Sequence, residues 1–150
     1  MTEISFYQVK DATPVAVDMA VALLLEKVIK TGHNAVVRCA SEDRLERLNN
    51  NLWTYKEDSF IPHGDTNDGF AESQPVYLCT GAENPNNADI LMTISGAESS
   101  DFSTYARVID VFDASDASIK QARQRWKAFS EKGYPLAYYA YENGKWAKKA

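Results

Sequence analysis

Short apolar runs rich in β-branched residues alternate along this chain with longer helical segments, and this alternation constrains the fold most. Residues 35–40 and 106–112 are compact runs of this kind, typical of strands buried on both faces of a parallel sheet. Residues 4–9, 75–80 and 88–94 predict three further strands. Because strands that alternate with helices form a mainly parallel sheet covered on both sides, we predict a three-layer α/β domain.

Three long helices are predicted between these strands. Thr13 followed by Pro14 begins the first, since these residue types are favoured at an N-cap and at the first helical position. Ser41 is a suitable N-cap for the second helix, which we expect to end near the three asparagines at 49–51. The third spans residues 115–132 and has the clearest helical pattern.

Length and composition are those of one domain. The chain has 150 residues, 45% of them hydrophobic, which is enough to bury one core. We assign residues 1–150 to a single domain, with 134–150 as a C-terminal extension in which Asn143-Gly144 predicts a hairpin turn. Residues 52–74 are rich in Asp, Gly, Asn and Pro and predict a long loop, a kind of segment that is often functional.

The chain has the features of a cytoplasmic protein. Its first residues lack the basic and apolar regions of a secretory signal. The longest apolar stretch, residues 15–25, contains Asp18 and is too short to span a bilayer. Cys39 and Cys79 each lie in an apolar run, which favours buried free thiols over a disulfide or a metal site.

The motifs that nucleotide-binding and hydrolytic α/β proteins require are absent. The sequence has no GxxxxGK phosphate loop, no GxGxxG after the first strand and no GxSxG elbow. His63 is close to Asp65 in the sequence, and Ser59 and Cys79 are only loosely plausible as its nucleophilic partners. These residues form no recognisable catalytic constellation, so we predict no catalytic activity, no cofactor and no metal site. An enzyme that uses His63 and Asp65 remains the alternative.

The basic residues are concentrated in one segment. The net charge is −5, which disfavours the broad basic surface of a generic DNA-binding protein. Residues 120–132 nevertheless contain five Lys or Arg residues and a single acid, Glu131. This distribution indicates a local anionic target rather than a long polyanion. Direct binding of single-stranded DNA through this segment is a further alternative.

The third helix combines an apolar face with a basic border. Apolar residues at spacings of three and four form one face: Ile119, Ala122, Trp126 and Phe129. Each of the first three is followed directly by a basic residue, and these residues form a border beside the face: Lys120, Arg123 and Lys127. Such an arrangement suits an acidic peptide with an apolar end, because cations meet its carboxylates while the aromatic ring receives its apolar side chain. An ordinary amphipathic helix whose Trp packs into the core is the alternative.

A second apolar cluster follows the second helix. Trp53, Phe60, Ile61 and Pro62 are unusually apolar for a segment next to a polar turn. Aromatic residues of this kind are favoured as anchors of protein interfaces. The segment is therefore either a docking surface for a partner or a cap on one end of the core.

These two segments, with three shorter ones, resemble the chi subunit family of bacterial DNA polymerase III, an accessory component of the clamp loader. The resemblance is carried by a Trp followed by Ser-Phe-x-Pro-His and by a helix with the pattern Ala-Arg-x-Arg-aromatic-Lys. The matching stretches occur in the family's order and extend to about residue 134: residues 4–7, 52–53, 59–63, 88–91, 108–110 and 122–129. The resemblance implies a Rossmann-like fold without nucleotide-binding ability and a non-catalytic adaptor in the replisome.

The resemblance also implies two protein partners. In the family, the basic aromatic helix binds the acidic C-terminal tail of single-stranded DNA-binding protein, which ends in Asp residues and Ile-Pro-Phe. Arg123, Trp126 and Lys127 match that site, with Trp126 where the family often has Tyr. Phe112 matches an apolar position that lines the pocket, and Lys120 stands one residue beyond the position of a further family lysine.

The second implied partner is psi, the subunit that links chi to the clamp loader. The family docks psi through the segment that Trp53, Phe60, Ile61 and Pro62 match in this chain. Psi, or an equivalent clamp-loader protein, is therefore the expected partner of this segment.

Overall fold

The computed structural model describes residues 2–54, 63–65, 74–94, 97, 101–142 and 145–150. Within these ranges the chain forms eight strands, at β1 Glu3–Gln8, β2 Ala35–Arg38, β3 His63–Asp65, β4 Val76–Cys79, β5 Ile90–Ile94, β6 Arg107–Phe112, β7 Leu136–Glu142 and β8 Lys145–Lys148. Three α-helices lie between them, at α1 Pro14–Lys30, α2 Glu42–Thr54 and α3 Asp116–Glu131. A single 3₁₀ turn, Phe102–Thr104, precedes β6.

The strands form one sheet in the order β3-β4-β2-β5-β6-β1-β7-β8. Neighbouring strands run parallel except for the antiparallel pair β7 and β8. Helices α1 and α2 pack on one face of the sheet, whereas α3 and the 3₁₀ turn pack on the other. The predicted three-layer α/β fold with a mainly parallel sheet is confirmed.

The first strand occupies an interior position in this sheet. β1 lies between β6 and β7 and pairs with both. Successive side chains of β1 alternate between the two cores, since Phe6 faces α3 and Tyr7 faces α1. Helices α1 and α2 therefore connect β1 to strands on the β3 side of the sheet. Helix α3 connects β6 to β7, on the opposite side of β1.

Hydroxyl side chains cap the start of each helix. The Thr13 hydroxyl accepts a hydrogen bond from the Ala16 backbone N–H at 3.2 Å, as the sequence predicts for α1. Ser41 caps α2 and Ser115 caps α3 through the same kind of bond at 3.2 Å. Each bond satisfies a backbone N–H that has no partner inside the helix.

The second helix is longer than predicted and ends at Thr54 rather than near residues 49–51. Leu48 and Leu52 are both buried in the core and lie one turn apart. Asn51 donates a hydrogen bond at 2.6 Å to the buried carboxylate of Asp18 on α1. Burial and this bond outweigh the low helix propensity of the asparagines. Strand β3 was not predicted either. Its three residues lie within the segment predicted to be a loop, and they pair with β4.

The C-terminal residues form the predicted hairpin. Strands β7 and β8 pair antiparallel and extend the sheet by two strands beyond β1. Tyr141 and Trp146 are opposite each other, with ring centroids 5.1 Å apart. The turn residues at 143–144 lie outside the described residues.

The two cysteines are buried free thiols, as predicted. Burial raises the pKa of Cys39 to about 12 and also raises that of Cys79. In the described part of the chain, no helix is both long enough and apolar enough to cross a membrane.

Candidate functional site

Helix α3 packs over a row of three side chains that crosses the sheet. Asp110 on β6, Phe6 on β1 and Tyr138 on β7 are register partners, so they lie side by side on the face that α3 covers. Parallel strands are about 4.8 Å apart, and the row therefore extends about 10 Å beneath the helix. Its polar ends and aromatic centre determine which helix side chains can pack on it.

The apolar face of α3 packs on the aromatic part of this row. The Trp126 ring meets Phe6 edge-on at 5.5 Å between centroids and Tyr138 at 6.0 Å. Phe129 approaches Phe6 at 6.4 Å, and Ala122 is buried. Trp126 itself is only partly buried, so this residue reaches the surface beside the basic border.

The basic border predicted for α3 is present and exposed. The side chains of Lys120, Arg123 and Lys127 are exposed, and none of them forms an ion pair with another described residue. Burial raises the pKa of the Tyr138 hydroxyl, and the positive charge of Arg123 partly opposes that effect. Arg123 therefore lies near Tyr138, on the β7 side of the helix.

The opposite border of α3 is anchored to the sheet. Arg125 donates two hydrogen bonds to the carboxylate of Asp110, from Nε at 2.6 Å and from a terminal nitrogen at 3.0 Å. The Asp110 side chain is only 5% exposed. Burial raises the pKa of Asp110, and the charge of Arg125 opposes this. The pair fixes the β6 side of the helix.

Phe112 lies beneath the site rather than at its surface. It is fully buried, and its ring packs edge-on against Tyr138 at 6.0 Å and against Phe6 at 6.4 Å. The Tyr138 hydroxyl donates a hydrogen bond to the side chain of Gln8 on β1. Phe112 and Gln8 thus contact Tyr138 on the same face of the sheet and hold it in place.

The second predicted surface is described only in part. Trp53 falls in the last turn of α2, but its side chain lies outside the described residues, as do Phe60, Ile61 and Pro62. His63 and Asp65 belong to β3, at the end of the sheet farthest from β8. Asp65 is buried, and the side chain of His63 is also outside the described residues. Five inter-strand steps of about 4.8 Å place β3 about 24 Å from β1.

Sequence reasoning did not identify the floor of the site. Phe6 is more than 100 residues from both Asp110 and Tyr138 in the sequence. The three residues become neighbours only through a strand order that no local pattern predicts. Alternating aromatics in β7 were a signal of strand structure, but they carry no information on which strand lies beside them. Among the described residues, no group of three or more His, Cys, Asp or Glu side chains is arranged to hold a metal ion.

Comparison with known proteins defines the class. The family model described as "DNA polymerase III chi subunit, HolC" matches residues 1–137. DNA polymerase III subunit chi of Pseudomonas aeruginosa is 29% identical over 136 residues, which cover 91% of this chain and 94% of that protein. The Escherichia coli subunit chi is 27% identical over 142 residues, covering 91% and 96%. A probable subunit chi of Rickettsia prowazekii is 36% identical over 93 residues, covering 62% and 56%.

These matches make the chain a replication accessory factor. More particularly, it belongs to the chi subunit family of DNA polymerase III. The resemblance carried by the loop and helix motifs is thereby confirmed, and protein partners within the replisome follow from membership of the holoenzyme.

Proposed function

We propose that this protein is a non-catalytic adaptor that joins the clamp loader to the acidic C-terminal tail of single-stranded DNA-binding protein. The observation that carries the proposal is the surface of α3. Three exposed cations that form no ion pair with any described residue border a partly exposed Trp126, which packs on an aromatic floor. Free cations beside an apolar contact surface favour a ligand that combines carboxylates with an aromatic end.

Each part of the tail has a suitable counterpart at this site. The terminal carboxylate pairs with the planar fork of Arg123, which can form two parallel hydrogen bonds. The Asp side chains meet Lys127 and Lys120 further along the border. The terminal Phe ring packs against Trp126, while Phe112 packs within the floor against Phe6 and Tyr138. Recognition therefore depends on charge for attraction and on ring packing for specificity.

We assign the second partner to the segment that contains the end of α2 and precedes β3. Trp53, Phe60, Ile61 and Pro62 match the family segment that docks psi, and this resemblance supports a psi-like protein as their partner. The adjoining strand β3 is about 24 Å from β1. This separation between β3, which follows the segment, and β1, which lies beneath α3, supports binding of both partners at once, as an adaptor requires.

Titration with a labelled acidic peptide ending in Ile-Pro-Phe tests the first partner. We expect saturable binding, measured by fluorescence anisotropy, that weakens with added salt because the exposed cations are screened. Arg123→Ala and Lys127→Ala should each weaken binding about tenfold, since a hydrogen bond to a charged group contributes about 1.5–3 kcal/mol. Lys148→Ala is the matched control, because it removes an exposed lysine from a strand at the edge of the sheet.

Three results would contradict the proposal. They are equal affinities for wild type and Arg123→Ala, no loss when the terminal Phe is deleted from the peptide, and tighter binding of a bare oligonucleotide than of the peptide at physiological salt. The last result would instead support a single-stranded DNA-binding module. For the second partner, co-purification with a psi-like protein should be lost in Trp53→Ala and retained in Arg123→Ala.

A further inference from the structure

The contacts between α3 and the sheet differ in how strongly they depend on direction. Trp126, Phe129 and Ala122 contribute apolar contacts, which are non-directional. Such contacts tolerate a small roll of the helix about its own axis. The two hydrogen bonds from Arg125 to Asp110 are the only side-chain bonds that α3 makes to the sheet among the described residues.

This pair has the geometry to fix the roll of the helix. The guanidinium is planar and its two N–H groups meet the two carboxylate oxygens of Asp110 at 2.6 and 3.0 Å, an arrangement that is satisfied in one orientation. Asp110 cannot follow a moving helix, because it is buried on an interior strand. The anchor is therefore rigid on the strand side.

The roll of α3 determines where the ligand-facing residues point. At about 100° per residue, Arg123 lies about 160° around the helix from Arg125, and Trp126 lies between them. A roll of about 20° moves a side-chain tip about 6 Å from the axis by roughly 2 Å. A displacement of that size breaks a bidentate hydrogen bond to a carboxylate. Arg123 has no anchor of its own, since it forms no ion pair with a described residue.

We infer that Arg125 and Asp110 are positioning residues for the tail-binding site, an inference that rests on the proposed function. The pair holds α3 at the roll that presents Arg123 and Trp126 together to an acidic, Phe-terminated peptide. Arg125 does not contact the peptide itself, because its guanidinium is on the β6 side of the helix and is occupied by Asp110.

Two variants separate positioning from charge and from stability. Arg125→Lys keeps the positive charge but loses the planar fork, so positioning predicts weaker peptide binding, whereas simple attraction of the peptide by charge predicts no change. The double variant Asp110→Leu/Arg125→Met replaces the pair by apolar side chains of similar size. Such replacements of buried ion pairs leave stability unchanged or improve it. We expect both variants to bind the labelled peptide roughly tenfold more weakly while the double variant keeps the wild-type melting temperature.

A readout in the free protein makes the test independent of the ligand. The indole N–H signal of Trp126, assigned in a ¹H–¹⁵N spectrum, should shift or broaden in both variants because the helix is no longer held at one roll. Lys120→Ala is the control that should leave this signal in place. An unchanged Trp126 signal in the double variant, or peptide affinity within twofold of wild type in Arg125→Lys, would overturn the positioning role. Absence of peptide binding by the wild type would instead refute the proposed function, while the indole signal would still report on the anchor.

Discussion

Replacing Arg125 alone leaves the buried carboxylate of Asp110 without the partner shown in the structure, and we expect this to lower the free energy of unfolding. Asp110 is 4% exposed and lies in the row of side chains beneath α3. Removal of one member of a buried ion pair typically costs about 3–5 kcal/mol. Because the Arg125 side chain is 24% exposed, water already screens the pair in part, and we expect a value near the lower limit. Arg125→Met should therefore lower the free energy of unfolding by about 3 kcal/mol.

The loss of stability in Arg125→Met should depend on pH in a defined direction. Burial raises the pKa of Asp110 in the folded protein and Arg125 opposes this, so removal of Arg125 raises that pKa further. A carboxyl group whose folded pKa exceeds its unfolded value near 3.9 is most compatible with folding when protonated. Stability is thus retained below about pH 4 and is lost as the pH rises through the folded pKa. The deficit of Arg125→Met should be largest at neutral pH and should shrink in mildly acidic buffer.

Thermal unfolding followed by circular dichroism at several pH values measures this loss of stability. For a chain of this length, about 3 kcal/mol corresponds to a fall in Tm of roughly 6–12 °C. Arg123→Met is the matched control, since the same substitution two residues away removes an exposed side chain that forms no ion pair with a described residue and should change Tm little. Equal Tm values for the two variants at neutral pH, or a deficit in Arg125→Met that grows as the pH falls, would refute the reasoning.

Three further substitutions or reactions probe the fold. Gly133→Ala should destabilise the protein by about 1 kcal/mol in chemical denaturation, because Gly133 has φ +80° after α3; Gly81→Ala, at a glycine without positive φ, should cost less. Val17→Asp should unfold the protein whereas Val15→Asp should be tolerated, since they are 0% and 59% exposed on the same helix; similar melting curves would contradict the orientation of α1. Both thiols should react with a thiol reagent at pH 8 only after denaturation, because burial raises the pKa of Cys39 to about 12; rapid labelling of the native protein would argue against their burial.

Local patterns were sufficient to predict most elements of this fold. Thr13 and Ser41 marked helix starts because a cap depends only on residues within one turn, and both make the expected bonds. The end of α2 was placed too early because the asparagines were weighed by intrinsic propensity. The bond from Asn51 to Asp18 and the burial of Leu52 are tertiary contacts, and no local pattern reveals them.

The candidate site divides in the same way. The spacing of Arg123, Trp126 and Lys127 located one surface of a helix, because helical periodicity determines which side chains are neighbours. The side chains beneath that surface could not be predicted, since Asp110 and Tyr138 are brought to Phe6 only by strand order. The ligand proposed for the surface came from family resemblance, whereas the contact between Arg125 and Asp110 came from the structure.

The interior position of β1 has a consequence for synthesis in the cell. Its hydrogen-bonding partners, β6 and β7, emerge from the ribosome only after residues 107 and 136 respectively have been translated. The apolar strand β1 is translated first, but it stays unpaired until about two thirds of the chain has been translated. Long waits of this kind slow folding and expose nascent chains to aggregation. Phe6, in the floor beneath α3, is thus among the first residues translated and among the last to reach its native surroundings.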